Sequence, residues 1–246
     1  GQGVDLIIWP ESGFFRAIST KTKNLKAAVL GPLKTPLLFG GLRTDYSSGA
    51  REIYNTAFLV DRDGNLKGTY DKTFLLAFGE YLPGGDLFPF LYKLSPNTSH
   101  FNRGTHTKPL ELGGIKYGVL ICYEDILPRF VQEVMQNNPH VLVNITNDAW
   151  FGDTHEPTIH LALAIFRSIE QRRYLVRSTN TGISAMVDPT GKITQETKVF
   201  ERANLLESVV PLQHKTIYAQ FGDWIAYLSL FSLLTMVFIG RKRARS

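Results

Sequence analysis

IKYGVLICYED, residues 115–125, sets seven strand-like residues ahead of the chain's single cysteine, Cys122, and turns polar directly after it. Preceded by Lys108 to Leu112 and by Gly113-Gly114, the run reads as the second arm of a hairpin. A helix is expected over Asp125 to Asn137, and Val141 to Ile145 reads as another buried strand. Further along, Thr154 to Arg177 is expected to be one long helix with Pro157 in its first turn, where proline is tolerated. Ile183 to Val187, the turn DPTGK and Ile193 to Glu196 suggest a hairpin, and Leu205 to Val210 a last strand.

Upstream of the cysteine, Val4 to Trp9 is an apolar, β-branched run of the kind that forms a strand buried on both faces. A helix over Lys21 to Leu30 and a strand over Pro36 to Leu42 follow. Ile53 to Val60, DRDGN and Leu66 to Tyr70 read as a hairpin. The Asp-x-Asp-Gly string in its turn resembles the start of a calcium loop, but the later ligands of such a loop are missing. Helices alternate with strands that also pair as hairpins, so the fold class is α/β with mixed sheets. No repeat, low-complexity run or linker appears before residue 211. The expected organisation is a globular domain over 1–211, a connector over 212–223, an apolar helix over 224–240 and a basic tail over 241–246.

The 246 residues, 43% apolar and 20% charged, are enough for a sizeable single core and exclude disordered, collagen-like and disulfide-scaffold chains. Lys plus Arg is 27 against 22 for Asp plus Glu, but Arg241, Lys242, Arg243 and Arg245 crowd into the end. Without those four the body carries 23 against 22, so the net charge of +5 gives no ground for a nucleic-acid-binding face. One cysteine forms no internal disulfide, and Cys122 is either a small buried apolar residue or a chemical group.

WIAYLSLFSLLTMVFIG, residues 224–240, carries no charge. At about 1.5 Å per residue a helix there spans roughly 26 Å, just enough for a bilayer. A buried helix of a soluble core is the alternative. Trp224 and Tyr227 at one end, RKRAR at the other, and only Ser and Thr as interior polar residues favour a membrane span. The excess of positive charge then puts the C-terminus in the cytoplasm and everything before Asp223 outside it. The chain starts almost directly in a strand-like run, with neither initiator Met nor export signal, so upstream residues are expected to be missing.

Three ionisable residues fall just past the carboxyl ends of expected strands: Glu11 after VDLIIWP, Lys72 after LKGTYD, and Cys122 after KYGVLI. In α/β folds ligands bind at those ends, because the loops there carry reactive groups while the strands hold them. Singly, a strand-end Cys suits a core and a strand-end Glu or Lys suits solvent. Together they supply what a thiol needs, a cation that favours thiolate and a base that takes its proton. Lys72 is expected to stabilise thiolate and oxyanion with the backbone N–H of Tyr123, and Glu11 to act as general base and then general acid. None of the six histidines stands in a setting that marks it as base, and HEPTIH at His155 to His160 has the wrong spacing for a zinc motif, so no metal is expected.

WPES at 9–12, YDKTFLLAFGEYLP at 70–83, GVLICYED at 118–125 and NITNDAWFG at 144–152 resemble the nitrilase, or carbon-nitrogen hydrolase, superfamily, and within it the apolipoprotein N-acyltransferase family. The resemblance covers about residues 1 to 240. It implies an αββα sandwich facing the periplasm of a bacterial inner membrane, one C-terminal transmembrane helix, and a Glu11, Lys72, Cys122 triad. It also implies supporting roles for Glu80, Tyr123 and Glu124, an aromatic near the acyl site at Trp150, and no cofactor. Membrane helices and a first strand and helix of the sandwich, present upstream in the family, are absent here, so the fragment is expected to be inactive.

The implied reaction moves an acyl chain from a phospholipid through a Cys122 thioester to the α-amine of a diacylated lipoprotein. The apolar loop LPGGDLFPFLYKL at 82–94, with Phe88 and Phe90, is expected either to cover the core or to form a lid that touches the membrane. A nitrilase-type amidase using the same triad and a membrane-anchored binding module are the alternatives.

Overall fold

The computed structural model describes residues 3–96, 98–152 and 154–243; residues 1 and 2 and the last three residues of the basic tail lie outside the described residues. Eleven described strands form two sheets. In the first, β1 (Ile7–Ile8) and β2 (Phe14–Ser19) both run parallel to β3 (Leu37–Asp45), which pairs antiparallel with β4 (Glu52–Val60), followed by β5 (Leu66–Asp71). β1 pairs with Leu37 and Leu38, and β2 with residues from Gly41 onward, so the two are one interrupted strand along the same edge of β3.

The second sheet contains β6 (Leu110–Leu112), β7 (Ile115–Ile121), β8 (Val141–Thr146), β9 (Leu175–Thr179), β10 (Ala185–Val187) and β11 (Ile193–Glu196), in reverse sequence order. Its middle strands β7, β8 and β9 are parallel and its outer pairs antiparallel. The period of two along the first sheet divides its side chains between two cores. Leu38, Ala57, Leu59 and Tyr70 join Val119, Ile121, Val143 and Leu175 in one cluster. Their strand neighbours Leu37, Phe39, Phe58 and Val60 pack on the other face with Ile18, Leu25 and Leu30. The two sheets thus form the expected α/β sandwich, with α2 (Pro128–Gln136) and α3 (Glu156–Gln171) as a helical layer over the second sheet.

Several sequence expectations are corrected. The helix over Lys21 to Leu30 shrinks to one wide turn, Lys26–Leu30. Residues 23–25 are captured by the β4–β5 turn, where Leu25 donates to the Gly64 carbonyl and the Asn24 side chain bonds Asn65. The helix after Cys122 is two pieces, a 3-10 turn Cys122–Ile126 and α2, because Leu127 precedes Pro128 and is held extended.

The long helix ends at Gln171, not Arg177. Arg172 turns left-handed (φ 49°), and the buried Arg173 guanidinium donates to the Gln171 and Arg172 carbonyls and to those of Pro139 and His214. Those acceptors finish the helix, and the β-branched residues that follow enter the sheet as β9. Leu205 to Val210, expected as a last strand, forms none; Thr194 and Gln195 reach it by side chain, to Glu207 and to the Leu206 carbonyl. The 82–94 loop contains a short helix α1, Phe90–Leu94, and residues 217–221 form another, α4.

The final helix α5, Trp224–Arg243, holds an 18-residue window, Trp224–Arg241, long and apolar enough to cross a membrane, with none of it buried in the protein. That exposure separates it from the soluble-core alternative, whose apolar helix must be covered.

Candidate active site

Glu11 lies in the break between β1 and β2, Lys72 directly follows β5, and Cys122 directly follows β7. β5 and β1 both run in the direction of β3, which brings Glu11 and Lys72 to one end of the first sheet. The Glu11 turn rests on Gly40, where a Cβ atom would stand 2.6 Å from the Glu11 Cα and 2.9 Å from the Pro10 carbonyl. Backbone atoms cannot give way as a flexible side chain can. Gly40→Ala is therefore expected to displace Glu11 and lower turnover by about a hundredfold, the size of loss that a 1 Å misplacement produces. Steady-state rates compared with Gly3→Ala, a glycine with open space around it, check this.

The Glu11 carboxylate is buried. Its Oε1 accepts from Asn55 Nδ2 at 2.6 Å and lies 4.0 Å from Lys72 Nζ. Its Oε2 is buried with no hydrogen-bond partner among the described residues. Burial raises the Glu11 pKa above the carboxylate norm, against the lowering pull of Lys72 and Asn55. A carboxylate whose pKa burial raises in this way is better suited than an ordinary one to take a proton from a neighbouring thiol.

Lys72 Nζ is gripped by both oxygens of Glu80, at 2.9 and 2.8 Å. Asn55 Nδ2 also reaches Glu80 Oε1 at 3.1 Å, so one amide spans the two acids. Burial works against the Lys72 charge, yet the anionic form of Cys122 and the two glutamates outweigh it and raise its pKa. The preceding Asp71 is fixed by Arg43 through two hydrogen bonds, 2.8 and 2.5 Å, and by the Thr56 hydroxyl at 2.6 Å.

Cys122 is buried and left-handed, with φ 54°, an uncommon conformation for a non-glycine residue. Burial first, then Glu11, pushes its thiol up to about 12, while Lys72 and the Thr146 hydroxyl pull it down. Lys72 thus favours the thiolate as expected, but burial and Glu11 outweigh it, so the proton needs a base beside the sulfur to leave.

Glu124 has both its oxygens taken up by the fold. It is fully buried and accepts four hydrogen bonds, from the Thr73 and Phe74 N–H groups at 2.7 and 2.9 Å and from Tyr70 Oη and the Ile121 N–H, both at 2.8 Å. It therefore ties the loop of Lys72 to the strand of Cys122. Burial pushes its carboxyl up to about 7 despite those donors. Tyr123 donates to Glu156 and stacks on His160 at 4.7 Å. Trp150 is 83% exposed, and Phe88 and Phe90, edge to face at 6.2 Å, are exposed on the outer loop. These three lie on the surface rather than in the buried group.

Sequence reasoning missed Asn55, a single amide in an apolar strand, and a buried polar group behind Cys122 made of Asp125, Asn144, Asp148, His160 and Arg177. The only signal was a polar residue at a position that strand or helix periodicity buries. Asp148, Glu156 and His160 bring ligand atoms within 4.8 Å of one another. Both imidazole nitrogens already face carboxylates, however, and Arg177 supplies the positive charge 3.3 Å from Asp148. The trio does not fit a metal ion.

The chain is 38% identical, over 98% of its length, to the apolipoprotein N-acyltransferase of Bdellovibrio bacteriovorus, and 34% identical over 91% to that of Geobacter metallireducens. It spans about half the length of these curated relatives, 47% and 43%. A solved amidase from Nesterenkonia sp. superposes with a TM-score of 0.56 over 93% of this chain and 84% of its own, at 21% identity, and so shares the fold. The carbon-nitrogen hydrolase model matches residues 1–213, the whole two-sheet body with all three strand-end residues, and the chain belongs to that family.

Proposed function

We propose that the chain is the acyl-transferring part of an apolipoprotein N-acyltransferase, with Cys122 as nucleophile, Glu11 as general base and acid, and Lys72 as the fixed cation. The observation that carries this reading is the buried Glu11 carboxylate, its pKa raised by burial and its Oε1 4.0 Å from a lysine whose charge acts on the single thiol of the sequence. Glu80 and Asn55 hold that lysine and that acid in place.

Cys122 Sγ attacks the ester carbonyl of a phospholipid as its proton passes to Glu11. Lys72 and the Tyr123 N–H, in the first turn of the 3-10 segment where backbone donors lack helical acceptors, stabilise the oxyanion. Collapse breaks the ester C–O bond, and the lysophospholipid leaves with the proton from Glu11. The α-amine of a diacylated lipoprotein then attacks the thioester and gives its proton to Glu11. The C–S bond breaks, an amide forms, and the thiol is restored. A thioester suits both halves, because it acylates an amine downhill.

The family-level relatives named as apolipoprotein N-acyltransferases support these substrates. So do the uncovered α5 and the exposed Phe74, Phe78, Leu87, Phe88, Phe90 and Trp150, which suit a lipid surface better than water. In this reading residues 1–211 form the reacting domain on the periplasmic side, 212–223 connect it, and α5 crosses the inner membrane with its basic end in the cytoplasm. A soluble amidase needs neither the helix nor the apolar rim.

Intact-mass spectrometry of the full-length protein in phospholipid vesicles tests the reading. An adduct of one acyl chain on Cys122, absent from Cys122→Ala and released by hydroxylamine, is expected. No adduct under conditions where the protein is folded rejects it in favour of a binding module.

A further inference from the structure

Behind Cys122 four charged side chains close a ring. Arg177 donates through one terminal nitrogen to Asp125 Oδ2 at 2.7 Å and through the other to Asp148 Oδ2 at 3.3 Å. His160 closes it, with Nε2 2.9 Å from Asp125 Oδ1 and Nδ1 3.2 Å from Asp148 Oδ1. None of the four side chains has any exposed surface. Asp148 Oδ1 also accepts from the Thr146 hydroxyl at 3.3 Å, but a carboxylate oxygen facing each nitrogen of one imidazole favours hydrogen on both, which makes His160 the imidazolium. Two anions and two cations then balance, as burial without water requires.

The ring grips the nucleophile turn at three points. Asp125 is part of the 3-10 turn that begins at Cys122. Asn144 accepts from Arg177 at 2.7 Å and donates to the Cys122 carbonyl at 3.1 Å, and to that of Leu120 at 3.2 Å. The His160 ring carries the stacked Tyr123. Gly182 backs the ring so closely that a Cβ would stand 2.0 Å from Asp148 Oδ2.

Resting on Cys122 as nucleophile, we infer that His160 is a positioning residue: as an imidazolium locking Asp125 to Asp148, it holds the Cys122 turn in its left-handed conformation and thereby sets the reactivity of the sulfur. It touches no substrate and moves no proton in the reaction. The groups facing it are Asp125 from the 3-10 turn, Asp148 from the turn after β8, Glu156 at 4.0 Å from its own helix, Arg177 from β9, and the Tyr123 ring. Burial and Arg177 oppose its charge, but the carboxylates prevail and push the imidazole up to about 8. The lock is therefore complete below that pH and is released as pH rises through it.

Alkylation of Cys122 by iodoacetamide, followed by mass spectrometry, tests this without any acyl substrate. At about pH 6.5 the His160→Gln protein should alkylate at least about tenfold more slowly than the native one, and the gap should close toward about pH 9.5, where the native ring has lost the same proton. The charge-balanced pair Asp125→Asn with His160→Gln removes one anion and one cation, and carries the same expectation if the single variant does not fold. A folded variant alkylating at the native rate at the lower pH overturns the inference, as does a gap that stays constant with pH, which is the mark of a purely structural residue. Acyl transfer measured alongside separates the two readings. The alkylation pattern without any transfer by the native protein rejects the acyltransferase and keeps the lock; transfer without the pattern does the reverse.

Discussion

Cys122→Ser is expected to leave a folded protein that forms no acyl intermediate and transfers nothing above background, a loss of at least about a thousandfold. The substitution changes one atom for a slightly smaller one in a buried site, so circular dichroism and thermal melting should closely match the native chain. The chemistry fails because a hydroxyl is far less acidic than a thiol, and the resting thiol here is already pushed up to about 12. Enzymes that use serine offset this with a basic imidazole. Here His160 has both nitrogens committed to carboxylates and cannot serve. Acyl adducts on the intact protein and release of lysophospholipid are the measurements, and a serine variant that retains a tenth of the native rate would show that Glu11 and Lys72 activate oxygen, which contradicts the assigned roles.

Lys72→Met should lose at least about a hundredfold in rate and, unlike the serine variant, much of the stability as well. Methionine fills the space of the stem but leaves Glu80 without the cation at 2.8 Å and Glu11 without the one at 4.0 Å, with Asn55 alone between two acids. Removing one partner of a buried ion pair costs about 3–5 kcal/mol, at the upper end only where water is fully excluded. The sign of the pH dependence follows. Glu11 is already raised by burial, and losing Lys72 removes the charge that pulls it down. In the variant Glu11 binds a proton more readily folded than unfolded, so its stability deficit should shrink as pH falls from neutral and widen as pH rises. Melting curves over that range check it; a deficit that does not change with pH would mean that the lysine acts through packing alone.

The three strand-end residues were legible because each closes an apolar run, and a run of that kind exposes its next residue at the end of a sheet. Hairpins announced themselves through Asp-Gly and Gly-Gly turns. What stayed hidden depended on partners far away in sequence. The end of α3 is decided by Arg173 reaching the Pro139 and His214 carbonyls, and no local pattern encodes that reach. Lys21 to Leu30 has helical spacing, but the β4–β5 turn competes for its backbone and wins. The charged ring draws Asp125, Asp148, His160 and Arg177 from four segments, and each alone reads as an ordinary solvated residue. The apolar loop of Phe88 and Phe90 reads equally as a cover on the core or as a surface element, and only the exposed side chains separate the two; Trp150, implied by the family resemblance alone, is also exposed.

The acid and the ammonium belong to the first sheet and the sulfur to the second, with Glu124 stitched across the seam. Neither half owns a complete reaction centre. The acid and the ammonium can therefore meet the sulfur only in a chain whose second layer has been made and has closed on the first, so the three side chains come together late in folding and as a single event.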